Sequence, residues 1–376
     1  MAAYEVVPYR PEFRGHVAAL QRHLWRGDEP ANLAYLDWKY ERNPYLPAPL
    51  IYLAVHDGRV IGMRGMFGSA WEVGPRGERF VVPCADDFTI LPEHRKRGLF
   101  GRIMTVAHED LAARGYRCAF SLSAGPVTLA GSLVSGWRSL GSVREMHRER
   151  PVASWRGPLG TQLRSWPLLW RWADLVSGRG GPAGRRLFRR LDARAPRARA
   201  GGKIWLGLEP RVDAMVELIA RLGHDGRARH VRDAPYLTWR FANPLHEYRF
   251  LFAGADRLDG YLVLQAYRLG GRRSVNIVDW EAATPSVRTG LLRAALAWGR
   301  FAELSTWTIT LPEAMRSLLR EAGFAPAHRR RLAREGPHLL VRALDGAAGR
   351  GEPALGDRRL IDAADWDMRM LYSMAG

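Results

Sequence analysis

The sequence predicts an α/β protein made of two copies of one unit in tandem. At 376 residues, 47% apolar and 25% charged, the chain exceeds what one hydrophobic core serves. A motif recurs across it: Tyr35-Leu36-Asp37-Trp38-Lys39-Tyr40 with Asn43-Pro44, then Tyr236-Leu237-Thr238-Trp239-Arg240-Phe241 with Asn243-Pro244. Each copy is followed by an apolar strand pattern, a turn and a second strand, and then by an aspartate and a glycine eleven apart, Asp87 and Gly98 against Asp279 and Gly290. A shared fold explains such a common order of strands, turns and helices.

In the first copy the patterns predict a strand over 4–8, helices over 12–25 and 31–41, and strands over 50–55 and 59–67. A long strand follows over 79–91. Leu99, Ile103, Val106, Ala107 and Leu111 recur at the helical period over 98–114, and Gly115 stands where a helix C-cap glycine belongs. A strand over 117–123 and a short helix over 127–135 complete the unit. In the second copy the matching strands fall at 248–253 and 260–267. Between the copies, residues 151–200 hold eleven arginines against Asp174 and Asp192, with Gly/Pro runs that read as linker. The expected organisation is a first domain over 1–150, a basic linker over 151–202, a second domain over 203–345 and a tail over 346–376. The C-terminal segment from Trp366 to Gly376 is a candidate to fold back so that its carboxylate enters the cleft.

The composition narrows the function classes. Cys84 and Cys118 stand in no metal-type spacing and build no disulfide framework, so neither a metal nor a disulfide scaffold is expected. No uncharged apolar stretch of about 18 residues occurs, and the start MAAYEVVPYRPEF lacks the basic-then-apolar pattern of a leader, so a soluble, cytoplasmic protein is expected. The net charge of +19 attracts phosphates on a cofactor, a nucleic acid or a membrane without choosing among them. The chain lacks the aromatic-interleaved basic stripe that stacks bases, so no specific nucleic acid is expected. The stretch from Trp155 to Trp172 reads either as an amphipathic helix for peripheral membrane or partner contact, or as a solvated interdomain helix.

The chemistry concentrates where the long strand meets the helix, in Asp87-Phe88-Thr89-Ile90-Leu91-Pro92-Glu93-His94-Arg95-Lys96-Arg97-Gly98-Leu99-Phe100-Gly101-Arg102. A helix N-terminus offers unpaired N–H groups and a positive dipole to a phosphate, and glycine lets the backbone come close. Arg95, Lys96 and Arg97 add charge. This segment resembles motif A of the GNAT N-acetyltransferase superfamily, Arg/Gln-x-x-Gly-x-Gly/Ala after a strand ending hydrophobic-x-Pro, here Ile90-Leu91-Pro92 and Arg95-x-x-Gly98. One departure is Phe100, where the motif has a second small residue. With Asp87 on the strand and Gly136-Trp137 ending the later helix, the variant looks like the tandem-GNAT group of bacterial polysaccharide and natural-product clusters. Enhanced-intracellular-survival acetyltransferases are a more distant likeness. The resemblance covers residues 4–149 and, more weakly, 203–342.

The resemblance implies two tandem GNAT folds, each a mixed, mostly antiparallel central sheet flanked by helices, and acetyl-CoA or another acyl-CoA as cosubstrate. It implies that Phe88, Thr89 and Ile90 run along the pantetheine arm and that amides from Lys96, Arg97, Gly98, Leu99, Phe100 and Gly101 hold the pyrophosphate. Ser123 and Ala124 would flank the cofactor on its other side. Direct attack of an amine needs a group that takes or orients the amine's proton, and no enzyme nucleophile. Asp86 and Asp87 sit where the family keeps such a carboxylate, and alternation lets only one face the cleft. The repeat partner Asp279 favours Asp87, with Asp86 toward the substrate; pairing with a nearby arginine is the structural alternative.

The family's usual thiolate acid, a tyrosine four residues before the Gly-aromatic pair, is replaced by Ser132. Ser132 would pass a proton through water, or the thiolate would leave into solvent; Cys84, His94 and Tyr116 are weaker stand-ins. Tyr35 and Trp38 are candidates either for the acceptor site or for core packing. In the second copy the basic turn is reduced to Arg288, and Leu319 stands four residues before Gly323-Phe324, so loss of cofactor binding is expected there. The expected activity is N-acylation of a primary amine on a small molecule such as an amino sugar or amino acid. An acyl-CoA decarboxylase or acyl loader, and a non-catalytic CoA-binding or nucleic-acid-binding protein, are the rivals. The oligomeric state is left open.

Overall fold

The computed structural model describes residues 4–25, 27–143, 145–149, 183–196, 203–269, 274–326, 337–344 and 351–374. The stretch from Trp155 to Trp172 lies outside the described residues. The first half runs β1 (Glu5–Pro8), α1 (Arg14–Trp25), α2 (Glu29–Leu36), β2 (Leu50–His56), β3 (Arg59–Val73), β4 (Glu78–Ile90), α3 (Leu99–Ala113), β5 (Cys118–Ala124), α4 (Pro126–Val134), β6 (Arg138–Ser142) and β7 (Glu145–Glu149). After α5 (Ala183–Arg194) come β8 (Ile204–Gly207), α6 (Val212–Leu222), β9 (Ala228–His230), α7 (Ala234–Phe241), β10 (His246–Gly254), β11 (Leu258–Tyr267) and β12 (Ser274–Ala282). The second half closes with α8 (Pro285–Gly299), β13 (Glu303–Trp307), α9 (Glu313–Glu321), β14 (Ala325–Pro326) and β15 (His338–Ala343).

Equivalent helices start in the same way in the two halves. Asp28 caps α2 by accepting from the Ala31 amide, and Asp233 caps α7 by accepting from the Tyr236 amide, each with a proline in the first turn. The copies differ by one residue: Tyr40 and Asn43 are one residue further apart than Phe241 and Asn243. The extra residue is absorbed as a single π turn over Asp37–Glu41, following α2, whereas α7 stays a plain α-helix.

The two large sheets have the same architecture, with strand orders β1-β2-β3-β4-β5-β15-β6 and β14-β7-β13-β12-β11-β10-β8. Along each, every neighbouring pair is antiparallel except one, β4 with β5 and β12 with β13. These are mixed, mostly antiparallel sheets flanked by helices, the fold class expected. The sheets also exchange strands: β15 enters the first sheet between β5 and β6, while β7 enters the second between β13 and β14. The expected boundary after residue 150 therefore needs correction, since β7 precedes it yet belongs to the second sheet. Both halves must cover the open edge of their fifth strand, and an alternating pattern does not say which edge a strand will cover.

A second correction concerns the linker. Within it, α5 buries Phe188 and Leu191 completely in the core of the second sheet, and its Asp192 pairs with Arg249 at 2.6 Å. One continuous core joins the halves, running from Val17, Tyr35 and Trp38 through Trp71 and Phe120 to Tyr236, Trp239 and Trp366. Among the described residues, no helix is long and apolar enough to cross a membrane.

Candidate active site

The site forms where a parallel pair comes apart. β4 and β5 share a single register pair, Cys84 with Phe120, and diverge beyond it. In the same stretch β4 carries a bulge: Asp86 pairs with Gly65 and Phe88 with Arg64, leaving Asp87 unpaired with φ of +41°. The extra residue breaks the alternation that would have sent Asp86 and Asp87 to opposite faces. Both carboxylates instead reach the same ammonium, Lys39 Nζ, each at 2.9 Å.

Lys39 is fully buried in the π turn, with Trp25, Tyr35, Tyr40 and Phe67 rings 5.0 to 5.7 Å from its Nζ. Burial works against its charge, but Asp86 and Asp87 outweigh this and raise its pKa above the usual lysine value. Asp87 is completely buried. Its Oδ1 accepts from Trp25 Nε1 (3.1 Å) and Lys39, and its Oδ2 from Gln21 Nε2 (3.2 Å) and Tyr40 OH (2.9 Å). Burial pushes the Asp87 carboxyl upward, against the pull of Lys39 and of the donors on its two oxygens. Asp86 keeps 17% of its side chain exposed. The carboxylate open to a ligand is thus Asp86, and the one favoured by the repeat, Asp87, is locked within the protein.

A cavity of about 190 Å³ occupies the opening between the strands. Asp86, Asp87, Phe88, Ser123, Ala124 and Ser132 all line it, so residues from three separate segments named from the sequence come together. Thr89 and Ile90 are buried in the strand beyond, and the Ile90 carbonyl accepts from Arg95 Nε at 2.9 Å. Tyr35 and Trp38 are not brought to the cavity; both are buried in the interdomain core, where Trp38 stacks on Trp239. Nor are the stand-in acids. Burial pushes the Cys84 thiol up to about 12, His94 bonds Tyr4 OH at 3.0 Å, and Tyr116 packs against the core beneath α3.

The basic turn lies next to the cavity. Lys96 and Gly98 both have positive φ, +61° and +71°, and Gly98 caps α3 with no side chain bonded to its first amides. A Cβ placed on Gly98 or Gly101 meets nothing within 4 Å, so open space lies over these amides, while Arg95, Lys96 and Arg97 are exposed around them. Free N–H groups, helix dipole and exposed cations together suit a pyrophosphate. The departing residue Phe100 turns its ring inward, edge-on to Phe88 at 4.9 Å and against α4 at Gly131, where any Cβ would stand 2.8 Å from the ring. A small residue is thus still present, moved from the motif to the facing helix.

The second sheet has the matching cleft, a cavity of about 240 Å³ lined by Asp279, Glu281, Arg288 and Thr306, with Arg369 in its wall. Pro285 lacks an N–H in the first turn of α8, and Thr284 Oγ1 caps the Val287 amide at 3.3 Å, so that turn offers fewer donors. Arg369, from the C-terminal segment, pairs with Asp279 and Glu281 at 2.8 Å each and with Asp367 at 3.0 Å; Arg232 holds the same two β12 carboxylates from the other side. Beyond it, Ser373 Oγ bonds Ser123 Oγ in the first cleft at 3.0 Å.

A strand pair splayed at a bulge, with an uncapped basic turn opening the next helix, is the arrangement that motif A requires. The sequence profile of the acetyltransferase (GNAT) domain matches residues 8–128. Residues 8–128 are a GNAT acetyltransferase domain. The tandem arrangement is also that of solved GNAT structures. A GCN5-related N-acetyltransferase from Anabaena variabilis superposes with a TM-score of 0.57 at 13% identity, over 93% of this chain and 76% of its own. The tandem GNAT protein from the clavulanic acid biosynthesis pathway gives 0.53 at 13% identity, over 92% of this chain and 100% of its own. Eis1 from Mycobacterium abscessus gives 0.50 at 14%, over 91% and 74%. At these identities the shared property is the fold. No curated protein matches the chain in sequence. This domain family consists of acetyltransferases that use acyl-CoA as cosubstrate, and the match lies in the first half of the chain.

Lys39, Tyr40, Gln21, Trp25, Arg64 and Trp137 belong to the site but were not singled out as site residues from the sequence. For Lys39 a signal existed, a basic residue set among Tyr35, Trp38 and Tyr40 and matched in the other copy by Arg240, which is also fully buried. For Gln21 and Trp25 there was none, because a polar residue that turns toward the core reads like any other on an amphipathic helix.

Proposed function

We propose that the first domain uses acetyl-CoA or a close acyl-CoA to acylate a primary amine on a small molecule by direct attack within a ternary complex. The observation that supports this reading best is the position of Asp86, partly exposed at the cavity and held by Lys39 beside the splayed strands. Amides from Lys96 to Gly101 take the pyrophosphate, and β4 from Phe88 to Ile90 takes the pantetheine arm, with Ser123 and Ala124 opposite. Asp86 orients the amine and receives its proton, directly or through water. Asp87 acts through Lys39 and Tyr40 as a positioning residue, a change from the role expected of it. Ser132, which lines the same cavity, relays a proton to the departing thiolate. The second domain, with its self-capped turn and with Arg369 paired to the carboxylates of its cleft, braces the first and binds no acyl-CoA.

The test is acetyl-CoA turnover, followed as released thiol, over a panel of amino acids and amino sugars. With the best acceptor, Asp86→Asn lowers kcat by about 100-fold or more, in the range of a lost general base, with acetyl-CoA affinity unchanged. Undiminished kcat in that variant removes Asp86 from the mechanism.

A further inference from the structure

The cavity has a polar wall that proton transfer at Asp86 does not use. Arg64 on β3 is 4% exposed and Trp137, just after α4, is 3% exposed; both line the cavity. Among the described residues, Arg64 Nε and Trp137 Nε1 are buried without an acceptor. The guanidinium donates through Nη1 to the Asp86 backbone carbonyl at 3.2 Å and lies 4.8 Å over the Phe88 ring, and among the described residues it forms no ion pair. The Asp86 and Asp87 carboxylates are engaged by Lys39, whose aromatic neighbours belong to the interdomain core, whereas Phe88 packs with the core beneath α3. His108, whose ring lies 5.8 Å from that of Trp137, is kept neutral by burial and by Arg342 and Arg64, its pKa lowered to about 3, so it adds no second positive charge.

Asp86 and Asp87 act on Arg64 without a direct ion pair, so its buried Nε–H and the buried Trp137 indole N–H in the same cavity are two donors without acceptors, which is unfavourable unless a ligand completes both. A carboxylate does so: its two oxygens match the guanidinium fork and still have lone pairs for the indole. We propose that Arg64 and Trp137 form a carboxylate-binding subsite, so that one of the two substrates meeting in this cavity carries a carboxylate close to the bond being made. The inference rests on the acyl-transfer reading of the same cavity and narrows its substrate class. The carboxylate has two possible sources, the acyl group of a dicarboxylic acyl thioester or the acceptor, as an acid bearing the amine.

Calorimetric titration separates these sources. In the first arm the wild type, Arg64→Met and Trp137→Phe are titrated with free CoA, propionyl-CoA, malonyl-CoA and succinyl-CoA. In the second arm the same proteins, saturated with acetyl-CoA, are titrated with amino acids and with their carboxamides. In one arm the wild type binds the carboxylate ligand at least tenfold more tightly than its neutral counterpart. Arg64→Met reduces that preference below twofold, and Trp137→Phe, which keeps the ring and loses the N–H, reduces it by a smaller factor. No carboxylate preference in either arm, or a preference that survives in both variants, overturns the subsite. If the wild type does not bind free CoA, the acyl-transfer reading fails. The second arm, run without CoA, then decides the subsite alone: amino-acid binding that Trp137→Phe and Arg64→Met both weaken supports it, and any other result overturns it.

Discussion

The indoles of Trp38 and Trp239 stack with centroids 4.7 Å apart and planes 11° from parallel, and each Nε1 donates to the other's backbone carbonyl, at 2.6 and 2.7 Å. These are equivalent residues of the two copies, so the repeat meets itself at this point. Truncating either ring removes a large buried contact from both halves at once. Trp38→Ala and Trp239→Ala should each destabilise the fold by about 3–5 kcal/mol. A double-mutant cycle in urea should show coupling of about 1 kcal/mol or more, and additive losses would mean that the stacking is incidental.

Lys39 is the counter-charge of two carboxylates, and removing one partner of a buried pair leaves the other uncompensated. Lys39→Met should lower stability by about 3–5 kcal/mol. Adding Asp87→Asn should recover part of the loss, because one of the stranded charges is then gone. Urea midpoints of the single and double variants check this, and a further loss in the double variant counts against the network.

The exchanged strand β7 is pinned to β13 by His147, whose ring nitrogens lie 3.2 Å from Glu145 and 3.3 Å from Glu303. Hydrogen bonding to these two carboxylates raises its pKa to about 9, against burial. A raised folded pKa gives stability that is fully present below the unfolded value near 6.5 and is lost as pH rises through about 9. Stability should therefore fall by roughly 1–3 kcal/mol between pH 6 and pH 10, and His147→Gln should flatten that part of the profile. An unchanged slope in the variant assigns the alkaline loss elsewhere.

Arg369 and Arg232 act in the opposite direction on acids. Despite burial, Arg369 holds the Asp367 carboxyl down to about 2, and Arg232 and Arg369 hold Asp279 below the usual carboxylate range. That stability is present above the unfolded pKa near 3.9 and is lost as pH falls toward the folded value. Arg369→Ala should move the acid-unfolding midpoint, followed by circular dichroism, to higher pH. An unmoved midpoint would show that the tail contributes nothing to holding the carboxylates of the second cleft.

Much of the fold was legible because it repeats a pattern. The α2 and α7 caps, the motif helix with Gly115 at its end (φ of +84°) and the basic turn all rest on local rules. The strand exchange was not legible, because pairing partners are chosen in three dimensions. The arginine-rich α5 hid its Phe188 and Leu191 among charges that read as linker. At the site, Ser123, Ala124 and Ser132 were named from the sequence and line one cavity, but the placement of Asp86 and Asp87 on one ammonium depended on a bulge. A single inserted residue resets alternation, and nothing in Asp86-Asp87 announces it.

The central claim is that the turn from Arg95 to Gly101 binds acyl-CoA for this domain, and calorimetric titration with acetyl-CoA tests it most directly. The wild type should bind at a single site, and Arg95→Ala/Arg97→Ala should bind at least tenfold more weakly, about 1.4 kcal/mol. Absence of binding by the wild type, or equal affinity in the double variant, would contradict it.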